Sequence, residues 1–173
     1  MSETIREMIS EADLAARIAE LGEQISKDYE GESVHLICIL KGSIFFTCEL
    51  AKRITVPVTI DFMTTSSYGA GTVSSGEVKI KSDVEIPVDG RNVLIVEDII
   101  DSGNTLHFLQ DVFKDRNAKS VRLCTMLDKP DRREVDVDVD YVGFTIPDEF
   151  VVGYGLDYDQ KYRNLPYIGV VEL

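Results

Sequence analysis

Long apolar runs divide the chain into segments that read as strands. Val34–Leu40, Val93–Val96 and Val121–Leu127 are nearly continuous in hydrophobic residues. Runs of this length, without alternating polar positions, are typical of strands that are buried on both faces. Such strands occur mainly in parallel sheets that are covered by helices on both sides.

The segments between these strands have the periodicity of helices. The first helix is predicted to begin after Ser10, a capping residue, and to end near Gly31. Two more are predicted over Ile44–Ile54 and Leu106–Arg116. The apolar face of the first helix consists of Leu14, Ile18, Leu21 and Ile25. Alternation of strands with helices predicts an α/β fold with a mostly parallel central sheet flanked by helices.

Weaker patterns predict the remaining strands. Valines alternate with aspartates over Val135–Tyr141, which predicts a strand with one wet face. Shorter strands are predicted over Val56–Met63, Val78–Ile80, Phe144–Val152 and Tyr167–Val171. Small polar residues and glycine dominate Thr64–Gly76, and because strand patterns flank it, we interpret this segment as a mobile functional loop.

The chemistry concentrates at the end of the central strand, in the stretch V-L-I-V-E-D-I-I-D-S-G-N-T-L. The carboxylates of Glu97, Asp98 and Asp101 lie within five residues and repel one another unless a ligand or cation compensates them. Ser102–Thr105 leads into a helix, whose free N–H groups and positive dipole end suit a phosphate. The alternative is a solvated acidic turn before a capped helix, which this density of carboxylates disfavours.

Two other predicted strands end in polar groups as well. Lys41 follows the strand that ends at Leu40, and Asp128 and Lys129 follow the strand that ends at Leu127. Ligands of parallel α/β sheets bind beyond the carboxyl ends of the strands. We therefore expect these side chains to meet the acidic cluster in one cleft.

Composition narrows the class of protein. The chain has 173 residues, a length that fits one domain over 1–173, and a formal charge of −13 that argues against nucleic acid or an anionic membrane as its partner. Cys38, Cys48 and Cys124 lie in apolar runs without C-x-x-C spacing, so we expect buried thiols in a reducing compartment. No signal-peptide pattern or run of membrane length is seen, so a soluble cytoplasmic protein is expected.

The acidic stretch is one of six segments that resemble the type I phosphoribosyltransferases, in particular their hypoxanthine-guanine branch. The likeness extends from about Leu36 to Val171. The motifs occur in family order: L-K-G-S at Leu40–Ser43, S-S-Y-G at Ser66–Gly69, E-D-I-I-D-S-G-N-T at Glu97–Thr105, D-K-P at Asp128–Pro130, P-D-E-F-V-V-G-Y-G-L-D-Y at Pro147–Tyr158 and Y-R-N-L at Tyr162–Leu165.

This resemblance implies a type I phosphoribosyltransferase fold with a small hood formed by the N-terminal and C-terminal segments. It implies a purine salvage enzyme that moves phosphoribose from phosphoribosyl pyrophosphate (PRPP) to N9 of hypoxanthine or guanine. The products are a nucleoside monophosphate and pyrophosphate. It also implies Mg²⁺ as cofactor and a homodimer or homotetramer.

The resemblance assigns roles around the PRPP site. Asp101 would be the general acid or base at purine N7. Glu97 and Asp98 would bind the ribose hydroxyls, directly or through magnesium-bound water. The remaining PRPP contacts would come from Lys41, Gly42, Asp101, Ser102, Gly103, Asn104, Thr105 and Arg163, and the metal ligands would be Glu97, Asp98 and Asp157.

On the purine side, Lys129 would donate to the 6-oxo group and Phe150 would stack on the base. Val151 would contribute backbone groups and Asp157 would complete the purine site. The flexible loop, with Ser67 and Tyr68, would close over the reacting centre. The resemblance also implies that the peptide bond between Leu40 and Lys41 can be cis.

Two departures from the family pattern and three alternatives remain open. Asn104 stands where many relatives have Lys or Arg, which removes one positive charge but is tolerated by a phosphate contact made through the backbone. Glu149 stands where some relatives have Lys, so the preference among hypoxanthine, guanine and xanthine is undecided. Some proteins of this fold are RNA-binding regulators, which the charge of −13 disfavours. A receiver-like domain is disfavoured because its acid pair should follow the first strand.

Overall fold

The computed structural model describes residues 2–68 and 77–173, with the backbone alone at Ser67 and Tyr68. Within these residues the chain forms α-helices and β-strands in alternation. In chain order they are β1 (Thr4–Ile9), α1 (Glu11–Asp28), β2 (Val34–Ile39), α2 (Ile44–Ala51), β3 (Val58–Tyr68), β4 (Glu77–Ser82), β5 (Asn92–Ile100), α3 (Asn104–Asp115), β6 (Ser120–Asp128), β7 (Tyr141–Thr145), β8 (Val151–Val152) and β9 (Ile168–Glu172), with a 3-10 helix over Pro130–Arg132. We call β1 and the C-terminal segment from β8 to β9 the hood.

The central sheet has the strand order β4-β3-β2-β5-β6-β7. Strands β3, β2, β5, β6 and β7 pair in parallel, and only β4 is antiparallel to its neighbour. Helices α1 and α2 pack on one face, where Leu36 and Leu94 point. Helix α3 packs on the other face with Ile37 and Ile95. The predicted α/β fold with a mostly parallel sheet is confirmed.

Helix α1 follows the sequence prediction closely. The Ser10 hydroxyl accepts a hydrogen bond from the backbone N–H of Asp13 at 3.0 Å, as expected of an N-cap. The four residues of the predicted apolar face are all buried: Leu14, Ile18, Leu21 and Ile25. Burial of this stripe fixes the helix on the sheet, on the same side as α2.

A second, smaller sheet has the order β1-β9-β8 and is antiparallel. Its N-terminal strand was not predicted from the sequence. Ile5 pairs with Val171, so β1 is held by residues at the opposite end of the chain. A short edge strand of this kind gives only a weak local signal, because its partner lies so far away in sequence.

The prediction of a strand over Val135–Tyr141 is wrong, since β7 begins only at Tyr141. The backbone N–H groups of Glu134 and Val135 both donate to the carbonyl of Ser102, at 2.9 and 3.2 Å. Val137 and Val139 pack against the α3 side of the core without joining the sheet. Their alternation reflects this packing and not a sheet register.

Two further predictions of strand or loop differ from the structure. The strand predicted over Phe144–Val152 is divided between β7 and β8, and Thr64–Tyr68, predicted as loop, continues strand β3. The rest of that predicted loop, 69–76, lies outside the described residues. Cys38 and Cys124 are buried free thiols as expected, but Cys48 is exposed because it lies on the outer side of α2.

The longest helix, α1, has 18 residues, many of them charged. No helix in residues 2–68 or 77–173 is long and apolar enough to cross a membrane.

Candidate active site

An acidic pair lies within the last part of β5, not after the strand as the sequence suggested. Glu97 is buried and its carboxylate accepts a hydrogen bond from the backbone N–H of Asp98 at 3.1 Å. Burial, together with the neighbouring Asp98 carboxylate, raises the pKa of Glu97 well above its ordinary value. Burial also raises the pKa of Asp98. Burial and mutual repulsion thus disfavour two charged carboxylates here, and a bound cation or hydroxyl donors would offset that cost.

The loop between β5 and α3 forms a small pocket of about 200 Å³. Gly103 has φ +87°, a backbone conformation that suits glycine, and a side chain there would meet Val137 and Arg133. The Ser102 hydroxyl accepts from the N–H of Asn104 at 3.2 Å. The pocket is lined by Glu97, Ile99, Ile100, Asp101, Ser102, Gly103, Thr105 and Leu106. A pocket of this size at a helix N-terminus suits a phosphate group.

The loop after β2 approaches the acidic pair from the neighbouring strand. The peptide bond between Leu40 and Lys41 is cis, and Lys41 is exposed. Gly42 lies directly against the carboxylate of Asp98. Ser43 is fully buried and its hydroxyl donates to the carbonyl of Ile39 at 2.7 Å, which anchors the loop.

A larger cavity of about 520 Å³ lies beyond β5 and β6. Lys129 is only 8% exposed, so it is not a solvated surface lysine. Phe150 is 54% exposed and meets Tyr158 edge-on at 5.6 Å, so it is not a core aromatic. The cavity is lined by Ile99, Asp101, Lys129, Arg132, Asp148, Phe150, Val151, Leu156 and Asp157. Its volume and its exposed ring suit a planar heterocycle.

Asp157 and Arg163 lie together on the segment that follows β8. Arg163 Nη2 is 3.4 Å from Asp157 Oδ1, and Arg163 Nη1 donates to the carbonyl of Gly155 at 2.7 Å. The other oxygen of Asp157 accepts from the N–H of Gln160 at 2.8 Å. The charge of Arg163 also acts on Asp98, where it opposes the effect of burial on the pKa.

The acidic residues do not form a preassembled metal cage. Within the parts of the chain that are described, no group of three or more His, Cys, Asp or Glu side chains is arranged to hold a metal ion. Mg²⁺, however, is commonly bound through one or two carboxylates, with water and substrate phosphate oxygens completing its shell. The crowded Glu97–Asp98 pair, with its raised pKa values, and the separate Asp157 fit binding of that kind.

Three arginine and acid positions of the site were missed in the sequence. Arg132 and Asp148 line the larger cavity together with Lys129. Arg133 Nη1 donates to the carbonyl of Asp101 at 3.2 Å, and its Nη2 donates to Asp128 Oδ1 at 2.7 Å. The basic run K-P-D-R-R directly after β6 could have indicated the two arginines, but nothing in the sequence indicated Asp148. The side chains of Ser67 and Tyr68 lie outside the described part of the structure.

Asp101 and Ile99 line both cavities, so the phosphate-sized pocket and the larger cavity adjoin at the end of β5. A parallel sheet that ends in a phosphate pocket, an acidic pair and a base-sized cavity is the architecture of an enzyme that joins a sugar phosphate to a nitrogen base.

Comparison with known proteins agrees with this class. A family model described as "Phosphoribosyl transferase domain" matches residues 7–159. The hypoxanthine-guanine phosphoribosyltransferase of Streptococcus thermophilus is 53% identical over 165 residues, covering 95% of this chain and 92% of that protein. The hypoxanthine phosphoribosyltransferase of Salmonella typhimurium is 53% identical over 175 residues, covering 100% and 98%.

Solved structures give the same result. A hypoxanthine-guanine phosphoribosyltransferase from Bacillus anthracis superposes with a TM-score of 0.94 at 50% identity, covering 98% of this chain and 100% of that one. The chain therefore belongs to the phosphoribosyltransferase family, and within it to the hypoxanthine-guanine branch.

Proposed function

We propose that the protein transfers the 5-phosphoribosyl group of PRPP to N9 of hypoxanthine and guanine, releasing pyrophosphate, as a purine salvage enzyme of the cytoplasm. The observation that carries this proposal is the position of Asp101, which lines both the phosphate pocket and the larger cavity. A ribose between the two cavities would place its C1′ beside the base that Asp101 faces.

The 5′-phosphate would bind in the pocket at the start of α3. Asp101, Ser102, Gly103 and Thr105 line this pocket, so backbone N–H groups of this loop and the hydroxyls of Ser102 and Thr105 would hold the phosphate. The side-chain amide of Asn104 donates to Glu134 at 3.1 Å and its backbone N–H donates to the Ser102 hydroxyl at 3.2 Å, so Asn104 would contact the phosphate only by exchanging one of these hydrogen bonds. The positive end of the helix dipole favours the anion there.

The pyrophosphate would lie between the loop after β2 and the hood. Lys41 and Gly42 would donate backbone N–H groups, and Arg163 would add a planar guanidinium. Arg163 is paired with Asp157 across 3.4 Å, so substrate binding would redirect it from that carboxylate to the phosphate oxygens.

The Glu97–Asp98 pair would receive the ribose hydroxyls and one Mg²⁺, and Asp157 would hold a second ion. Held by these carboxylates, Mg²⁺ would supply positive charge to offset that of the departing pyrophosphate. The two carboxylates of β5 also favour the positive charge that develops on the ribose as the bond to pyrophosphate breaks.

The base would occupy the larger cavity with its 6-oxo group toward Lys129. A 6-oxopurine accepts a hydrogen bond from the ammonium group, whereas the 6-amino group of adenine does not. The exposed ring of Phe150 would stack on the base, and the backbone of Val151 would meet its edge. Asp157 would close the far side of the cavity.

Asp101 would exchange a proton with purine N7 during transfer. It is half-exposed and lies at the junction of the cavities, where it can reach the base. The segment that contains Ser67 and Tyr68 would close over the site and exclude water, which otherwise hydrolyses the activated ribose.

We propose that residues 1–173 act as one domain and assemble as a homodimer or homotetramer. Ile60 and Phe62 lie on one side of β3 and are 40% and 43% exposed. Two neighbouring large apolar side chains exposed on one strand are typical of an interaction surface. A second copy of the chain would cover them. Light scattering on the wild type and on Phe62→Glu tests this: the wild type should be oligomeric and the variant should dissociate, whereas a monomeric wild type contradicts the proposal.

An assay that compares four purine bases as substrates tests the activity. Hypoxanthine, guanine, xanthine and adenine are each incubated with PRPP and Mg²⁺, and nucleotide and pyrophosphate are measured. Formation of IMP and GMP, with little AMP, is expected. RNA binding without purine-dependent consumption of PRPP would instead support a regulatory protein.

A further inference from the structure

Lys129 is held between two carboxylates, only one of which the proposed chemistry uses. Its Nζ is 3.9 Å from Asp101 Oδ1 and 3.7 Å from Asp148 Oδ1. The Lys129 side chain is 10% exposed, whereas both carboxylates are about half-exposed. A nearly buried ammonium requires compensating negative charge, and here that charge comes from two separate carboxylates.

Both distances are longer than a hydrogen bond. The ammonium group is therefore placed by charge while its N–H donors remain available to a ligand. Asp101, by contrast, must stay free to exchange a proton with the base. If it were the sole counter-charge, Lys129 would be drawn onto it and away from the 6-oxo position.

Asp148 is itself held in place. Its second oxygen, Oδ2, is 3.3 Å from Arg132 Nη1, so the two oxygens of the carboxylate face different cations. Arg132 belongs to the 3-10 helix that directly follows Lys129, and it lines the same cavity. Arg132, Asp148 and Lys129 thus form a chain of alternating charge along one wall of the base cavity.

We propose that Asp148, braced by Arg132, is a positioning residue that holds Lys129 toward the 6-oxo group of the purine and away from Asp101. This inference rests on the proposed function, because it assigns the 6-oxopurine contact to Lys129. Asp148 touches neither the reacting atoms nor PRPP in this arrangement, so its effect is confined to binding of the base.

The test is a double-mutant cycle on Asp148→Asn and Lys129→Met, with steady-state kinetics for hypoxanthine and for PRPP. Asp148→Asn should raise the KM for hypoxanthine about fivefold, the upper end for a half-exposed ion pair, and leave the KM for PRPP unchanged. If Asp148 acts through Lys129, adding Asp148→Asn to Lys129→Met should cause no further loss.

Asp131→Asn is the matched control, since it removes an exposed acid in the same 3-10 helix. It should leave both KM values unchanged. Arg132→Gln should reproduce the Asp148→Asn effect at smaller size, and Asp148→Glu should restore part of the hypoxanthine affinity. Thermal unfolding of each variant separates this pattern from general destabilisation, which would affect both substrates.

Two outcomes would overturn the inference while leaving the proposed function intact. One is an active wild type in which Asp148→Asn behaves like Asp131→Asn. The other is a cycle in which the Asp148→Asn and Lys129→Met effects simply add. A wild type that does not convert hypoxanthine at all would overturn the proposed function, and this inference with it.

Discussion

Gly42 is in such close contact with Asp98 that no side chain fits between them. A Cβ atom at position 42 would overlap the Asp98 carboxylate, which is part of the acidic pair on β5. The loop after β2 and the end of β5 are therefore fixed against each other through a single glycine. Gly155 on the hood approaches the Gly42 carbonyl just as closely, so three segments meet at this point.

Gly42→Ala is expected to reduce kcat/KM for PRPP about 100-fold, since a displacement of about 1 Å in a site of this kind has that effect. The methyl group must move either the loop or the Asp98 carboxylate. Gly90→Ala is the control: Gly90 lies far from the site at φ +72°, and a Cβ atom added there would meet nothing within 4 Å. That variant should lose about 1 kcal/mol of stability but no activity, as judged by urea unfolding and initial rates. Equal activity losses in the two variants would contradict the assigned contact.

The sequence predicted the parts of the fold whose signals are local. Strands β2, β5 and β6 each contain a run of residues that is buried on both faces, so each appears as a mostly apolar stretch in the sequence. Strand β1 pairs with a strand at the other end of the chain, as Ile5 does with Val171, and gives no comparable signal. The valines at 137 and 139 alternate like a strand but pack against the core from an irregular segment.

The same distinction holds for the site. The acids of β5 and the loop before α3 are contiguous in sequence, so they could be found together. Asp148 and Arg132 meet only because β6 and the segment before β8 end at the same cavity. An ion pair between residues 16 positions apart leaves no periodic or local pattern in the sequence. The burial of Lys129 likewise depends on tertiary packing and not on its neighbours in sequence.

Asp101→Asn is expected to lower kcat by 10²- to 10⁴-fold, the usual contribution of a general acid or base. Binding of PRPP should be largely retained, because we propose that its 5′-phosphate is held mainly by backbone groups of the loop before α3. Stopped-flow turnover and calorimetric titration with PRPP measure the two quantities separately. Asp115→Asn, an exposed acid at the end of α3, should change neither. Near-normal turnover in Asp101→Asn would rule out the assigned role.

Removal of divalent cations is expected to abolish activity. Glu97, Asp98 and Asp157 supply carboxylates but no complete cage, so the ion should bind together with PRPP and exchange readily. Activity in excess EDTA should fall to background and return in full when Mg²⁺ is added. Asp157→Asn should raise the Mg²⁺ concentration needed for half-maximal rate. Full activity in the presence of the chelator would contradict the role of magnesium.

The pH dependence of stability should contain a contribution from His35, a buried residue of β2 outside the site. Its Nδ1 is hydrogen-bonded to the Thr59 hydroxyl at 2.7 Å, and Nε2 has no partner among the described residues. Burial, with the nearby charge of Arg91, lowers the pKa of His35 below its ordinary value of 6.5. Since the unfolded chain then binds this proton more readily than the folded chain, stability is present above pH 6.5 and is lost as the pH falls toward the lowered pKa.

Urea unfolding at pH 7.5 and pH 5.5 measures this effect. Over that interval the wild type should lose more free energy of unfolding than His35→Gln, with a difference in slope of at most about 1.4 kcal/mol per pH unit for one proton. Comparing the two proteins removes the contributions of other groups, including the Glu97–Asp98 pair, whose raised pKa values act in the opposite sense. Identical pH profiles for His35→Gln and the wild type would show that the buried imidazole is not the group that titrates.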